Sequence, residues 1–137
     1  MSVETSRVIE VADFREALRR FLRQSERVAR QSGLTPQRHL LLLMIKGASD
    51  GSEQSTVTEL ADRLQLAQST VTELVSRAEE IGLLEREQSS TDARVAHLRL
   101  TPEGERRLLQ AFTGLAAERA NLRATFAHLD AEVPERL

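Results

Sequence analysis

The side chains of this protein best equipped for chemistry are its arginines and one cluster of short polar groups. Lys46 is the single lysine among 19 basic residues. The rest are arginines, whose planar guanidinium forks onto carboxylates, phosphates and guanine edges as an ammonium cannot. A biased genomic base composition would give the same excess. Arg94 lies in the polar knot "QSSTDAR", between "LLEREQ" and "VAHLRL". The alternation in those flanks marks half-buried strands. The knot is then the tip of a hairpin, either a solvated turn or a probe. A second group, Gln68, Ser69, Thr70, Thr72, Ser76 and Arg77, is carried by "AQSTVTELVSRAEEIG". Such side chains hydrogen-bond base edges and phosphates. They also cap helices, face solvent or, for Arg77, pair with Glu73 or Glu80.

Other chemistries are poorly supplied. Cysteine is absent, which removes disulfides, thiolate metal ligands and thiol nucleophiles. A reducing, cytoplasmic setting is the default. His39, His97 and His128 are far apart and lack metal-ligand spacing, so no metal site is expected. There is no Gly-rich phosphate loop, no metalloprotease helix motif and no nucleophile–base pair. An enzyme is not expected, nor is a cofactor. No apolar run approaches the roughly 18–20 residues that span a bilayer, and "MSVETSRVIEVADF" lacks the pattern of a secretory signal. The net charge is −2, so any attraction to nucleic acid must be local.

The elements that must position these groups follow from periodicity. From about Ile9 to Gln31, apolar residues recur at helical spacing. "SGLTP" breaks the chain, and Thr35 with Pro36 opens a second helix. Its run Leu40–Ile45 is apolar nearly all round and should be buried on most sides. "ASDGSEQS" is a polar loop. Thr56 and Glu59 have capping-box spacing for a short third helix. A fourth follows after a tight turn, with Val71, Leu74, Val75, Ala78 and Ile81 inward. Two short helices so joined are a helix-turn-helix candidate, and the hairpin after them gives winged-helix order. Thr101 and Pro102 open a last helix. Gly104 in its first turn costs stability unless another backbone passes close by. Beyond it, Leu108, Phe112, Leu115, Arg119, Leu122, Phe126 and Leu129 form a coiled-coil-like seam. The seam packs on its own domain or, since little chain is left to cover it, on a second copy.

In order and residues together, nearly the whole chain resembles the MarR family of bacterial transcriptional regulators. "TDARVAHLRLTPEG" is similar to the family's wing, "TVTELADRLQLAQSTVTELVSRAEEIGLLER" to its helix-turn-helix and first wing strand, and "GLTPQRHLLLLMI" to the opening of its second helix. The resemblance implies a mainly α fold with a small β-wing. A winged helix-turn-helix core (35–101) would be flanked by dimerisation helices at 1–34 and 102–137. It implies a homodimer on a pseudo-palindromic duplex operator, often a repressor released by a small aromatic or phenolic effector. The fourth helix would enter the major groove and the wing a minor groove.

On that basis Gln68, Ser69, Thr70, Thr72, Ser76 and Arg77 are the major-groove candidates. Arg94 is the wing candidate with Asp92 as its brace; the alternative is a local surface ion pair. Arg38, Ser55, Thr56 and Arg86 are candidate phosphate contacts, against capping or pairing with a wing acid. Phe14, Leu18, Phe21, Leu108, Phe112, Leu115, Leu122 and Phe126 are the interface candidates. His39 is a candidate effector contact, although a lone histidine is more often structural. Family members often have glycine where this chain has Gln65, a Ser or Thr cap where it has Ala67, and a basic residue where it has Glu73. The C-terminal "DAEVPERL" leaves little room for the further helix common in the family. Two other readings stay open. One is a winged-helix protein-interaction module without DNA binding, which the acidic balance favours. The other is a MarR-like regulator with no ligand.

Overall fold

The computed structural model describes residues 1–129. Six helices and three short strands follow one another: α1 (Val3–Gln31), α2 (Pro36–Lys46), β1 (Gln54–Ser55), α3 (Val57–Leu64), α4 (Gln68–Glu80), β2 (Leu84–Gln88), β3 (Ala96–Leu100), α5 (Pro102–Gly114) and α6 (Ala116–Ala127). This is a mainly helical fold with a small β-wing.

Local sequence explains most boundaries. Ser2, Thr35, Thr56 and Thr101 each accept a first-turn backbone N–H, and Thr56 with Glu59 completes a capping box. Each such cap contributes about 1 kcal/mol. α1 starts earlier than its apolar spacing suggests, because Ser2 caps it. The far end of α2 is closed by Arg63, which donates to the carbonyls of Met44 (3.0 Å) and Gly47 (3.2 Å). A cation there also complements the helix dipole.

The core gathers Leu41, Leu42 and Ile45 of α2, Leu60 of α3, Val71 and Val75 of α4, Leu83, and Leu98 of β3, all fully buried. The run Leu40–Ile45 is buried on most sides, as expected, with Leu40 on the side left exposed. One residue expected inside is not. Ile81 is exposed because it is the residue that ends α4 and leaves the inward stripe. The expected polar loop before α3 also hides a strand. Gln54 and Ser55 pair with Arg99 and Leu98 of β3, so the sheet has three strands in the order β1-β3-β2. Two residues are too short a run to show a period.

The last helix departs most from expectation. It breaks at Leu115 (φ −110°) into α5 and α6. Gly114 lies against a Val28 methyl group at the crossing with α1. Leu115 is buried beside Val28 and Ala111. The Phe112 carbonyl, which takes the Leu115 N–H at the break, also accepts from Arg119 Nη1 (2.6 Å), and that guanidinium lies 3.8 Å from the centre of the Phe112 ring. α6 then returns along α1, bringing the rings of Phe126 and Phe14 to 5.8 Å. Leu108 and Leu115, expected at an interface, are instead core residues of their own chain. Phe112 and Phe126 stay exposed, while Phe14, Leu18, Phe21 and Leu122 are half-buried. Asp130–Leu137, including the expected short C-terminal end, lie outside the described residues.

Candidate nucleic-acid interface

α4 carries its chemistry on one side. Val71, Val75 and Ala78 anchor it in the core, while Gln68, Ser69, Thr70, Thr72, Glu73 and Arg77 are exposed and Ser76 is half-buried. At 100° per residue, Ser69, Thr72, Glu73 and Ser76 share one stripe. α4 is preceded by Ala67, which offers no capping side chain. Its first-turn N–H groups are therefore left to solvent. The turn before it is held by Gln65 in the left-handed region (φ 56°), where glycine is usual. The Gln65 amide compensates by donating to the Asp62 carbonyl (2.6 Å).

The wing tip is a built turn. The Ser89 hydroxyl accepts from the N–H groups of Thr91 and Asp92, and the Asp92 carbonyl accepts from Val95 N–H. The Asp92 carboxylate takes the Arg94 N–H (3.0 Å) and also the guanidinium Nε (3.3 Å). The backbone bond, then the side-chain bond, holds the Asp92 carboxyl below its ordinary pKa. Among the ion pairs of the described residues, Arg94 is the most exposed charge, at 90%. Asp92 thus fixes where Arg94 starts; Nη2 also reaches it at 3.5 Å, and the Nη1 donors are left toward solvent.

Two clefts gather the other candidates. Arg38 at the start of α2 meets Thr70, Glu73 and Arg77 of α4 in one. Among the described residues no ion pair holds Arg38. In the other, Thr56, which caps α3, and Thr58 within it line the cleft with Arg86 and Arg94 of the wing. Thr58, absent from the sequence candidates, also lies 3.4 Å from the Gln68 amide. Its second-residue position in α3, after a capped start, was the available signal. Arg86 is already paired with Glu79 (2.7 Å). Thr56 accepts from Glu59 N–H, and its own N–H is taken by the Glu59 carboxylate. Ser55 is a correction: it is 3% exposed within β1, so its hydroxyl cannot face a phosphate.

His39 is also misplaced for its expected role. It is buried between α1 and α2, with Ser25 Oγ 3.5 Å from Nδ1. Burial lowers its pKa below the ordinary value of 6.5. The unfolded chain then binds the proton more readily, so stability is full above about pH 6.5 and falls as pH drops through that value. Urea midpoints between about pH 5 and 7 should show this fall, and His39→Gln should flatten it.

A model of the MarR family matches residues 32–95. YsmB of Bacillus subtilis, an uncharacterized transcriptional regulator of the helix-turn-helix type, is 33% identical over 114 residues, spanning 80% of this chain and 75% of that protein. The crystal structure of B. subtilis YusO superposes with a TM-score of 0.67 at 22% identity, covering 97% of both chains. A mutant of E. coli MarR solved with operator DNA gives 0.67 at 19% identity, covering 97% of this chain and 95% of that one. The M. tuberculosis regulator MOSR, solved in complex with DNA, gives 0.57 at 27% identity, covering 89% and 80%. By sequence and fold together, the chain belongs to the MarR family of winged helix-turn-helix transcriptional regulators.

Proposed function

We propose that the protein binds duplex DNA sequence-specifically as a homodimer on a pseudo-palindromic operator, as a repressor released by a small-molecule effector. The observation that carries this reading is the polar outer stripe of α4, flanked by Arg38 on one side and by the wing with Arg94 on the other. An exposed helix with hydroxyls along one stripe and the Gln68 amide at its start suits base edges. A braced arginine suits the negative potential of a narrow minor groove. Both E. coli MarR and MOSR have been solved with DNA.

Dimerisation is supported by apolar side chains left exposed among the described residues. Val8, Ile9, Val11 and Leu22 of α1 are exposed, as are Leu109 and Phe112 of α5 and Phe126 of α6. Residues 1–34 and the segment from 102 onward are the proposed dimerisation parts, and 35–101 the DNA-binding part. An effector is supported by a cleft between α1 and α6, with Ala17, Phe21 and Ala117 as its apolar part and Arg20, Arg23 and Arg27 around it. That chemistry suits a small aromatic acid. Such a ligand should raise the melting temperature and weaken DNA binding; His39 has no part in it.

The test is selection from a randomised duplex pool. A two-fold dimer should enrich an inverted repeat whose half-sites lie about one helical turn, or a multiple of it, apart. A winged-helix module that binds only proteins would enrich nothing.

A further inference from the structure

Glu73 is an acid at the centre of a surface otherwise suited to DNA. It follows Thr72 directly, lies one helical turn after Ser69, and is 66% exposed. Its Oε1 accepts from Arg77 Nη2 at 3.0 Å, and no other partner engages either oxygen among the described residues. The pair thus presents a free carboxylate oxygen beside guanidinium donors that are still unused. From this arrangement we infer that Glu73 and Arg77 act as one unit that reads a cytosine–guanine base pair in a fixed orientation. The inference rests on α4 entering the major groove.

The chemistry selects the pair. An ionised carboxylate only accepts hydrogen bonds. In the major groove, guanine presents two acceptors and thymine an acceptor and a methyl group, so neither can serve Glu73. Adenine has an amino donor, but its N7 acceptor lies beside it and repels the second oxygen. Cytosine offers its amino donor alone. The guanine across the same base pair presents O6 and N7, the acceptors an arginine fork matches. Glu73 and Arg77 therefore carry acceptor and donors side by side, complementary to the edge of one C·G pair. The ion pair also offsets the repulsion that an isolated carboxylate would meet near phosphates. Arg38, in the same cleft, adds positive charge where the DNA backbone would run.

The experiment is duplex selection with the wild type, Glu73→Gln and Glu73→Ala, followed by competition binding on the wild-type site. The wild type should enrich cytosine at one position in each half-site. Changing that C·G to T·A should cost the wild type roughly tenfold or more in affinity. Glu73→Ala should keep only Arg77's hold on the guanine, so T·A should cost it several-fold less than it costs the wild type. Glu73→Gln, which offers a donor beside an acceptor, should shift the position toward adenine. Both variants should melt like the wild type, since Glu73 is exposed. If both discriminate against T·A at that position as strongly as the wild type, the inference is wrong while DNA binding stands. A normally melting Glu73→Ala protein that selects no site would also overturn it. A wild type that enriches no sequence would remove the DNA-binding reading itself.

Discussion

Gly104→Ala is expected to lower the stability of the fold by about 1–3 kcal/mol. Inside an ordinary helix the same exchange would add about 1 kcal/mol, so the sign is diagnostic. Gly104 lies in the first turn of α5, and a Cβ built there would run into the Leu83 carbonyl oxygen. That carbonyl cannot swing aside. It accepts the Thr101 N–H at 3.0 Å, the Thr101 hydroxyl binds the neighbouring Gly82 carbonyl at 2.6 Å, and Leu83 is fully buried. Gly114 is the contrast, because its added Cβ would meet a Val28 methyl group, which can shift more cheaply than a bonded carbonyl. Since domains of this kind are stable by only about 5–15 kcal/mol, urea unfolding should show the Gly104 loss clearly. A rise in stability would mean that α5 does not seat against the base of the wing as described.

Arg94→Ala is expected to weaken operator binding tenfold or more, with little change in melting temperature. The guanidinium contributes nothing to the core, and its pairing with Asp92 is an exposed one, worth little to stability. In a groove, a hydrogen bond to a charged group is worth about 1.5–3 kcal/mol, and a dimer would carry two wings. The loss should be greatest where the flanks are A·T-rich and the minor groove narrow. Asp92→Ala should cost less, because it loosens the turn but keeps the charge. Equal binding by wild type and Arg94→Ala on the selected site would assign the wing no part in DNA contact.

Much of this arrangement was legible in the chain. The capping box at Thr56–Glu59, the Thr–Pro openings of α2 and α5, and the alternation in β3 are local signals, and local chemistry decides them. The knot was readable too, since Ser89 and Asp92 make the short-range turns their types favour. What was not legible depends on contacts distant in sequence. The seam after Gly104 keeps helical spacing through Leu115, yet the helix breaks there because Val28 and Arg119 stabilise the turned form. The burial of Ser55 comes from a two-residue pairing with β3, and that of His39 from α1 folding over α2. Glu73 was visible as an oddity, but its 3.0 Å bond to Arg77 is what turns it into half of a pair.

Because the chain carries a net charge of −2, the proposed DNA contact rests on the local placement of Arg38, Arg77, Arg94 and the polar stripe of α4. The salt dependence of affinity for the selected duplex tests that most directly. Binding through phosphate contacts releases counterions, and about four neutralised phosphates per dimer would lower affinity roughly a hundredfold between about 50 and 200 mM salt. A steep linear fall of log affinity with log salt, shallower in Arg38→Ala, is the expected result. Affinity that does not change with salt, or no duplex binding even at low salt, would contradict the account.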